Sequence, residues 1–337
     1  MNKLRNNCFF TSFNKAYAPQ AILLAESLRR HYGSEIKIYA VLVDILLDGE
    51  LSYLDIFDGV MLPEDLDIPN FKAWIFGLDI VEAATAVKPF ALCKLLEEFS
   101  QVTYLDPDTL VYSRFNEIFE PNDGYDAFLT PHQTMPEEQS WAVQAMEIES
   151  LRFGVYNLGF LSVRSTANGS SIAKWWRDRC YEYCISEPAK GLFTDQKLFD
   201  LAPALFSGVK VLRNSGYNVA TWNLRERNVQ MLDSQLLANG VPLRFCHFTK
   251  ATHIGGYALQ RMLKAPGIFE ELFYSYVARL QERSIMLKGL SKKWEYGCYE
   301  DGSEILGVTR KQFRNLNNRF QYENPFQDRQ FIESLLI

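Results

Sequence analysis

Val102-Thr103-Tyr104-Leu105-Asp106-Pro107-Asp108-Thr109-Leu110-Val111-Tyr112 is the stretch on which the fold turns. It begins with β-branched, aromatic and aliphatic residues, the composition of a short buried strand. Pro107 has no N–H to give a ladder and fixes its own φ, so the strand is predicted to end at the acidic turn. In an open parallel sheet the carboxyl ends of the strands form the edge that binds ligands. Two carboxylates held this close repel each other unless a cation neutralises them. Oxygen ligands and partial hydration suit Mg²⁺ or Mn²⁺, and such an ion would clamp a diphosphate. The same tripeptide also reads as a solvated turn, because Asp and Pro are common turn residues.

Upstream, Cys8-Phe9-Phe10-Thr11 reads as a first strand, followed by the polar turn Ser12-Phe13-Asn14-Lys15. A helix is predicted over 18–32: Pro19 is tolerated in its first turn, Leu24, Leu28 and Tyr32 recur every four residues, and Gly33 supplies the stop. Residues 36–43 alternate into a second strand that ends at Asp44. This β-α-β opening argues for a parallel sheet. It lacks both the G-x-G-x-x-G turn and the G-x-x-x-x-G-K-[ST] loop, so a nucleotide bound here would need a metal to neutralise its phosphates. Residues 57–62 read as another strand, 71–86 as a helix, and Lys88-Pro89 as the start of a helix through Phe99. Lys88 then lies near the mouth that the acidic turn lines, either solvated or as a phosphate partner.

Downstream, 126–130 reads as a strand delivering Pro131-His132 to the same edge, with His132 a ligand or a turn histidine. Residues 156–163 form a strand with a polar start, in which Gly159 permits close backbone approach. A helix follows over 171–186. Thr194 is predicted to cap the next one, with Asp195 and Gln196 in its first turn. Residues 217–223 are dense in amides and aromatics, a composition suited to gripping a hydroxyl-rich ligand. Arg244-Phe245-Cys246-His247-Phe248 reads as a last strand, and His247 within it as a core histidine or a metal ligand. From Tyr257 onward helical patterning and basic residues dominate, giving a division into 1–256 and a C-terminal extension, 257–337, packed on it.

The 337 residues are 47% apolar and 14% aromatic, enough for a sizeable core and incompatible with disorder. A net charge of −6 argues against a nucleic-acid binder. No apolar run reaches the ~18 residues that span a bilayer, and no secretory leader is read at the start. The six cysteines are scattered without zinc-site spacing, as expected of reduced thiols in a cytoplasmic protein.

Taken in order, Lys88-Pro89, Tyr104-Leu105-Asp106-Pro107-Asp108, Tyr156-Asn157-Leu158-Gly159-Phe160, Asp195-Gln196, Gly216-Tyr217-Asn218-Val219-Ala220 to Arg227, and Arg244-Phe245-Cys246-His247-Phe248 form a series. The series resembles the metal-dependent glycosyltransferases of the GT-A fold. It is most similar to bacterial cell-surface polysaccharide enzymes distantly related to glycogenin and the lipopolysaccharide galactosyltransferases. The resemblance spans roughly residues 8–256, and the end of the chain, with Trp294, Tyr296 and Asn324-Pro325-Phe326, also looks like the end of such bacterial chains. It implies a Rossmann-like, mostly parallel α/β sheet flanked by helices, with a largely helical C-terminal extension. Asp106 and Asp108 match the metal-binding acid-x-acid pair, and His247 matches a further metal ligand. Lys88 matches a basic residue that contacts the donor. Asn157, Asp195 and Gln196 match positions lining the donor sugar, and Thr11 and Tyr17 lie where the base is held. The chain departs from the pattern at Lys250, where relatives usually carry a glycine, and it lacks the lysine-proline-tryptophan of glycogenin-like enzymes.

The resemblance therefore implies transfer of a sugar from a nucleoside-diphosphate donor, with Mn²⁺ or Mg²⁺, to a glycan, lipid-linked or protein acceptor, at the cytoplasm or the inner face of a membrane. Retention of configuration is expected from Gln196; an inverting enzyme would need a carboxylate base, for which Asp195 and Glu226 are the candidates. Two other classes compete: a metal-dependent nucleotidyltransferase, which would release pyrophosphate, and a non-catalytic carbohydrate-binding protein, which would not need the acidic pair.

Overall fold

The structure, a computed structural model, describes residues 6–46, 51–120, 124–262 and 267–335. Chain order begins with β1 (Asn7–Phe13), α1 (Ala18–Tyr32), β2 (Lys37–Leu42) and β3 (Gly59–Met61). Helix α1 spans the residues its periodicity predicts, and β1 extends through Ser12 and Phe13, which the sequence suggested as a turn. The helix expected over 71–86 is two: α2 (Phe71–Phe76) and α3 (Ile80–Ala86). Asp79 breaks them apart by accepting the Val81 and Glu82 N–H groups, while the Glu82 carboxylate takes the Asp79 N–H. Then come α4 (Lys88–Glu98), β4 (Gln101–Leu105), β5 (Thr109–Val111), β6 (Ala127–Pro131), β7 (Tyr156–Arg164) and α5 (Ala167–Tyr183). Thr194 does not cap the helix that carries Asp195. It is the first residue of α6 (Thr194–Phe199), at φ 45°, and its hydroxyl turns to the Asp195 carboxylate. The functional part closes with β8 (Val209–Val211), β9 (Val219–Ala220), β10 (Phe245–His247) and α7 (Ile268–Met286).

Seven strands form one sheet in the order β8-β6-β7-β4-β1-β2-β3, parallel except for β7, which runs against both β4 and β6. The chain leaves β1 toward β2 and β3, then returns to β1's other side as β4. The topological switch point therefore falls between β1 and β4, and a crevice opens beyond their carboxyl ends. Because β7 is reversed, its first residues, Tyr156 and Asn157, lie at that same edge. Period-2 patterning covers both faces of the sheet. Cys8 and Phe10 of β1 join a core with α2, α3, α4 and α5, while Phe9 and Phe13 join another with α1.

The acidic turn carries the chain from this sheet into a second one. β5 pairs antiparallel with β10, which also pairs in parallel with β9; the register sets His247 opposite Thr109 and beside Ala220. Trp294, Tyr296, Tyr299, Phe313 and Phe326 of the C-terminal segment enter the core against α2, with the Phe76 and Phe313 ring centroids 4.7 Å apart. Helix α7 is fixed to the site by a Phe248–Tyr276 stack with centroids 4.3 Å apart. All six cysteines are unpaired. Among the described residues no helix is long and apolar enough to cross a membrane.

Candidate metal and donor site

At the end of β4 the chain turns so tightly that the Asp106 carbonyl accepts from both the Thr109 N–H (3.1 Å) and its hydroxyl (2.8 Å). The Asp106 N–H donates across to the Gly159 carbonyl on β7 at 2.9 Å. Both carboxylates are thereby directed to the switch-point crevice. The Phe248 N–H reaches back to the Asp108 carbonyl at 2.8 Å, which locks β10 to the turn and brings His247 alongside. Its Nε2 lies 3.0 Å from Asp108 Oδ1 and 3.7 Å from Asp106 Oδ2, and its Nδ1, buried, has no hydrogen-bond partner. One ligand atom from each of Asp106, Asp108 and His247 falls within 4.8 Å of the others. Two carboxylate oxygens and an imidazole fit a divalent cation such as Mn²⁺.

Gly159 is what allows that approach. A Cβ on it would stand 2.6 Å from His247 Cε1, 2.7 Å from Asn157 Oδ1 and 2.8 Å from Asp106 Oδ2. No side chain fits there without moving the ligands.

Lys88 is not solvated. Its side chain is 4% exposed and bridges Asp106 Oδ1 (3.2 Å) and Asp195 Oδ2 (3.1 Å), with Nζ 4.4 Å above the Tyr104 ring. Burial disfavours its charge, but the two carboxylates outweigh that and hold it well above the ordinary lysine range. Burial likewise pushes Asp106 up, and Lys88, His247 and the Tyr104 hydroxyl at 2.6 Å outweigh it, leaving Asp106 below the usual carboxylate range. Asp195 goes the other way: burial and then Asp106 raise it, and Lys88 only partly compensates. Burial lowers His247, yet Asp108 and Asp106 raise it above the ordinary histidine value. Three carboxylates thus face one ammonium and one imidazole, an excess of negative charge that a divalent cation would neutralise.

Asn157 accepts the Gly159 N–H at 3.2 Å and contacts His132 Nε2 at 3.3 Å. His132 itself stands outside the metal cluster, and burial pushes it down to about 4, so it is neutral at pH 7. Gln196 is pinned between backbones: its carbonyl accepts the Leu158 N–H (3.3 Å) and its amide donates to Phe153 (3.1 Å). Glu226, the second candidate base, is committed to the Thr134 and Met135 N–H groups at 2.8–3.1 Å and holds that loop instead. The amide-rich 217–223 segment is mostly scaffold. Tyr217 and Asn218 are fully buried, and Asn223 donates to the His132 and Asn218 carbonyls. Its Trp222 is the exception, edge-on to both His132 and His247 with ring centroids 5.7 and 5.2 Å away. Trp222 belongs to the aromatic- and amide-dense 217–223 segment singled out in the sequence, although no spacing signal marks this one ring.

Two cavities of about 400 Å³ each meet at Ala16, Tyr17 and Asp108. One runs over Ser12, Asn14, Thr85, Lys88, Tyr104 and Asp106. The other passes Lys15, Phe248, Lys250 and Tyr276. Tyr17 is 42% exposed at their junction, whereas Thr11 is 1% exposed inside β1, lines neither cavity, and has a hydroxyl without a hydrogen-bond partner. Lys250 holds the left-handed conformation at φ 52°, the kind of position where glycine is at ease. The departure noted in the sequence is therefore a lysine accepting backbone strain on the cavity wall.

No protein-family model matches this sequence. Two curated proteins of Bacillus subtilis (strain 168) are similar to it: the uncharacterized protein YfnF, 30% identical over 175 residues, and the uncharacterized protein YfnD, 27% identical over 176. The matches cover 51% of this chain and 57% and 54% of those proteins, so the chain spans about half the length of the curated relatives it matches. Among solved structures, it is similar to the galactosyltransferase LgtC in complex with donor and acceptor sugar analogues (16% identity, TM-score 0.43, 77% of this chain and 97% of that one). It is also similar to the glycosyltransferase GlyE of Streptococcus pneumoniae TIGR4 (16%, 0.43, 88% and 67%) and to the bifunctional glycosyltransferase WbbM (12%, 0.45, 80% and 51%). Asp106, Asp108 and His247 lie close enough together to hold a metal ion.

Proposed function

We propose that this protein is a metal-dependent glycosyltransferase that moves a sugar from a nucleoside-diphosphate donor to an acceptor hydroxyl. The observation that carries this reading is the convergence of Asp106, Asp108 and His247 at the switch point, beside a cavity of about 400 Å³. A cation held by these three residues, Mn²⁺ or Mg²⁺, would act as a Lewis acid on the departing diphosphate.

The chain's own residues supply the rest. Lys88 keeps Asp106 ionised and oriented, and the Tyr104 hydroxyl fixes the same oxygen. His247 must be neutral to ligate. Lys250 brings a positive charge to the cavity wall where leaving-group charge develops. Asn157 and Asp195 border the cluster on the side of the donor sugar, and Tyr17 offers its ring to the base at the junction of the cavities.

Retention of configuration is part of the proposal. Gln196 is an amide and cannot act as a base at neutral pH, Asp195 is paired with Lys88 at 3.1 Å, and Glu226 is engaged by backbone N–H groups. The resemblance adds a uridine donor, a role in surface polysaccharide or glycoconjugate synthesis, a cytoplasmic location with contact to the inner membrane face, and residues 257–337 as an extension of a 1–256 catalytic unit. Calorimetry of a nucleotide-sugar panel with and without Mn²⁺ tests the reading. At least one donor should bind only with the metal; binding that is indifferent to Mn²⁺, or none across the panel, would end it.

A further inference from the structure

We propose that the C-terminal segment completes the donor site, with Lys292 as a contact to the donor's diphosphate; the inference rests on the function proposed above. Both cavities are lined by Lys292 as well as by Asp108 and Tyr17, so its side chain reaches the rim where they join. It is exposed, and no ion pair engages it among the described residues. No feature of the motif series points to it, because it lies 45 residues beyond His247 in the sequence.

Its place is set by the residues that follow. The Trp294 indole donates to the Val43 carbonyl at 2.9 Å, and the Glu295 N–H to Asp44 Oδ1 at 2.9 Å. Trp294 is 8% exposed, with the Arg310 guanidinium 5.1 Å from its ring. Arg310 in turn donates to the carbonyls of Phe76 (3.0 Å), Leu78 (2.9 Å) and Tyr296 (2.7 Å). On the other side Leu287 and Leu290 pack against the core that holds Phe9, Phe13 and α1. The segment is therefore tethered on both sides of the lysine. Asp44 adds a second link: its other oxygen accepts the Lys15 N–H at 3.3 Å, so one buried carboxylate holds both the loop after β1 and the incoming tail.

The charge pattern says what this lysine serves. Asp106 and Asp108 would be taken up by the cation, and a bound diphosphate restores net negative charge at the junction. Lys250 approaches the cavity from the β10 side and Lys292 from the tail, giving two ammonium groups on different walls. A single point charge on a flexible stem suits a phosphate oxygen whose position is already set by the metal.

The test uses the full chain, Mn²⁺ and the diphosphates and monophosphates of uridine, guanosine and adenosine, titrated by calorimetry into wild type, Lys292→Ala and Lys292→Arg. Losing one charge-assisted contact should weaken the preferred diphosphate about tenfold. The monophosphate should lose less, Lys292→Arg should recover most of the affinity, and the unfolding midpoint should not move because the side chain is exposed. Lys292→Ala within twofold of wild type for the diphosphate would overturn the inference while leaving the proposed function standing. Failure of wild type to bind any diphosphate would overturn both.

Discussion

Replacing Lys88 by Met keeps most of the side-chain volume and removes the only ammonium found between Asp106 and Asp195 among the described residues. The two contacts are 3.2 and 3.1 Å, and at an effective dielectric near 20 each is worth about 5 kcal/mol of Coulomb energy. Desolvation of the buried Lys88 and Asp195, and to a lesser degree of the quarter-exposed Asp106, offsets much of that. What remains is the penalty of leaving carboxylates without a partner, about 3–5 kcal/mol when one member of a buried pair is deleted. Urea denaturation of the metal-free protein at pH 7 should therefore show Lys88→Met destabilised by about 3–5 kcal/mol. Adding Asp195→Asn in the same chain should recover part of this, because the carboxylate whose pKa is already raised is no longer forced to ionise alone. Saturating Mn²⁺ should narrow the gap, since the cation stabilises the ionised Asp106. A Lys88→Met loss below about 1 kcal/mol, or a double variant as unstable as the sum of both single changes, would refute the bridged arrangement.

Two further outcomes follow from the same geometry. Gly159→Ala places a Cβ 2.6 Å from His247 Cε1 and 2.8 Å from Asp106 Oδ2, so Mn²⁺ affinity measured by calorimetry should fall at least tenfold, with a stability loss of about 1–3 kcal/mol; unchanged metal binding would mean the ligands do not sit there. His247 titrates above the ordinary 6.5 in the metal-free protein, so its charged form stabilises the fold fully below pH 6.5, and that contribution is lost as pH rises through its folded pKa. Mn²⁺ must displace the proton, hence its affinity should rise with pH to a midpoint above 6.5, and His247→Gln should flatten the curve; a wild-type midpoint below 6.5 would contradict the ion-paired histidine.

Much of this site is local in sequence, and that part was legible. The strand before Pro107, the carboxylate pair and the helix between Ala18 and Gly33 follow from dihedral limits and periodicity, which a single chain displays. Strand direction does not. Residues 156–163 read as a strand whichever way they run, yet only the reversed direction brings Asn157 to the ligand edge. Burial of Lys88 was equally hidden, because its two partners lie 18 and 107 residues away and a lone lysine gives no sign of either. The amides of 217–223 misled for the opposite reason. Their composition suits sugars, but buried polar groups need the same partners: Asn218 donates to the Thr130 hydroxyl and Asn223 to the Asn218 carbonyl. Asp79 was a missed cap, although the Asp79-x-x-Glu82 spacing was there to be read.

The central claim is metal-dependent sugar transfer from a nucleoside diphosphate, and release of that diphosphate measures it most directly. A coupled assay across a nucleotide-sugar panel in saturating Mn²⁺ should show turnover for wild type and a loss of about a thousandfold or more for Asp108→Asn, which keeps the shape and removes one charge from the cluster. Equal diphosphate release by Asp108→Asn and wild type, or undiminished release after chelation of the metal, would contradict the account.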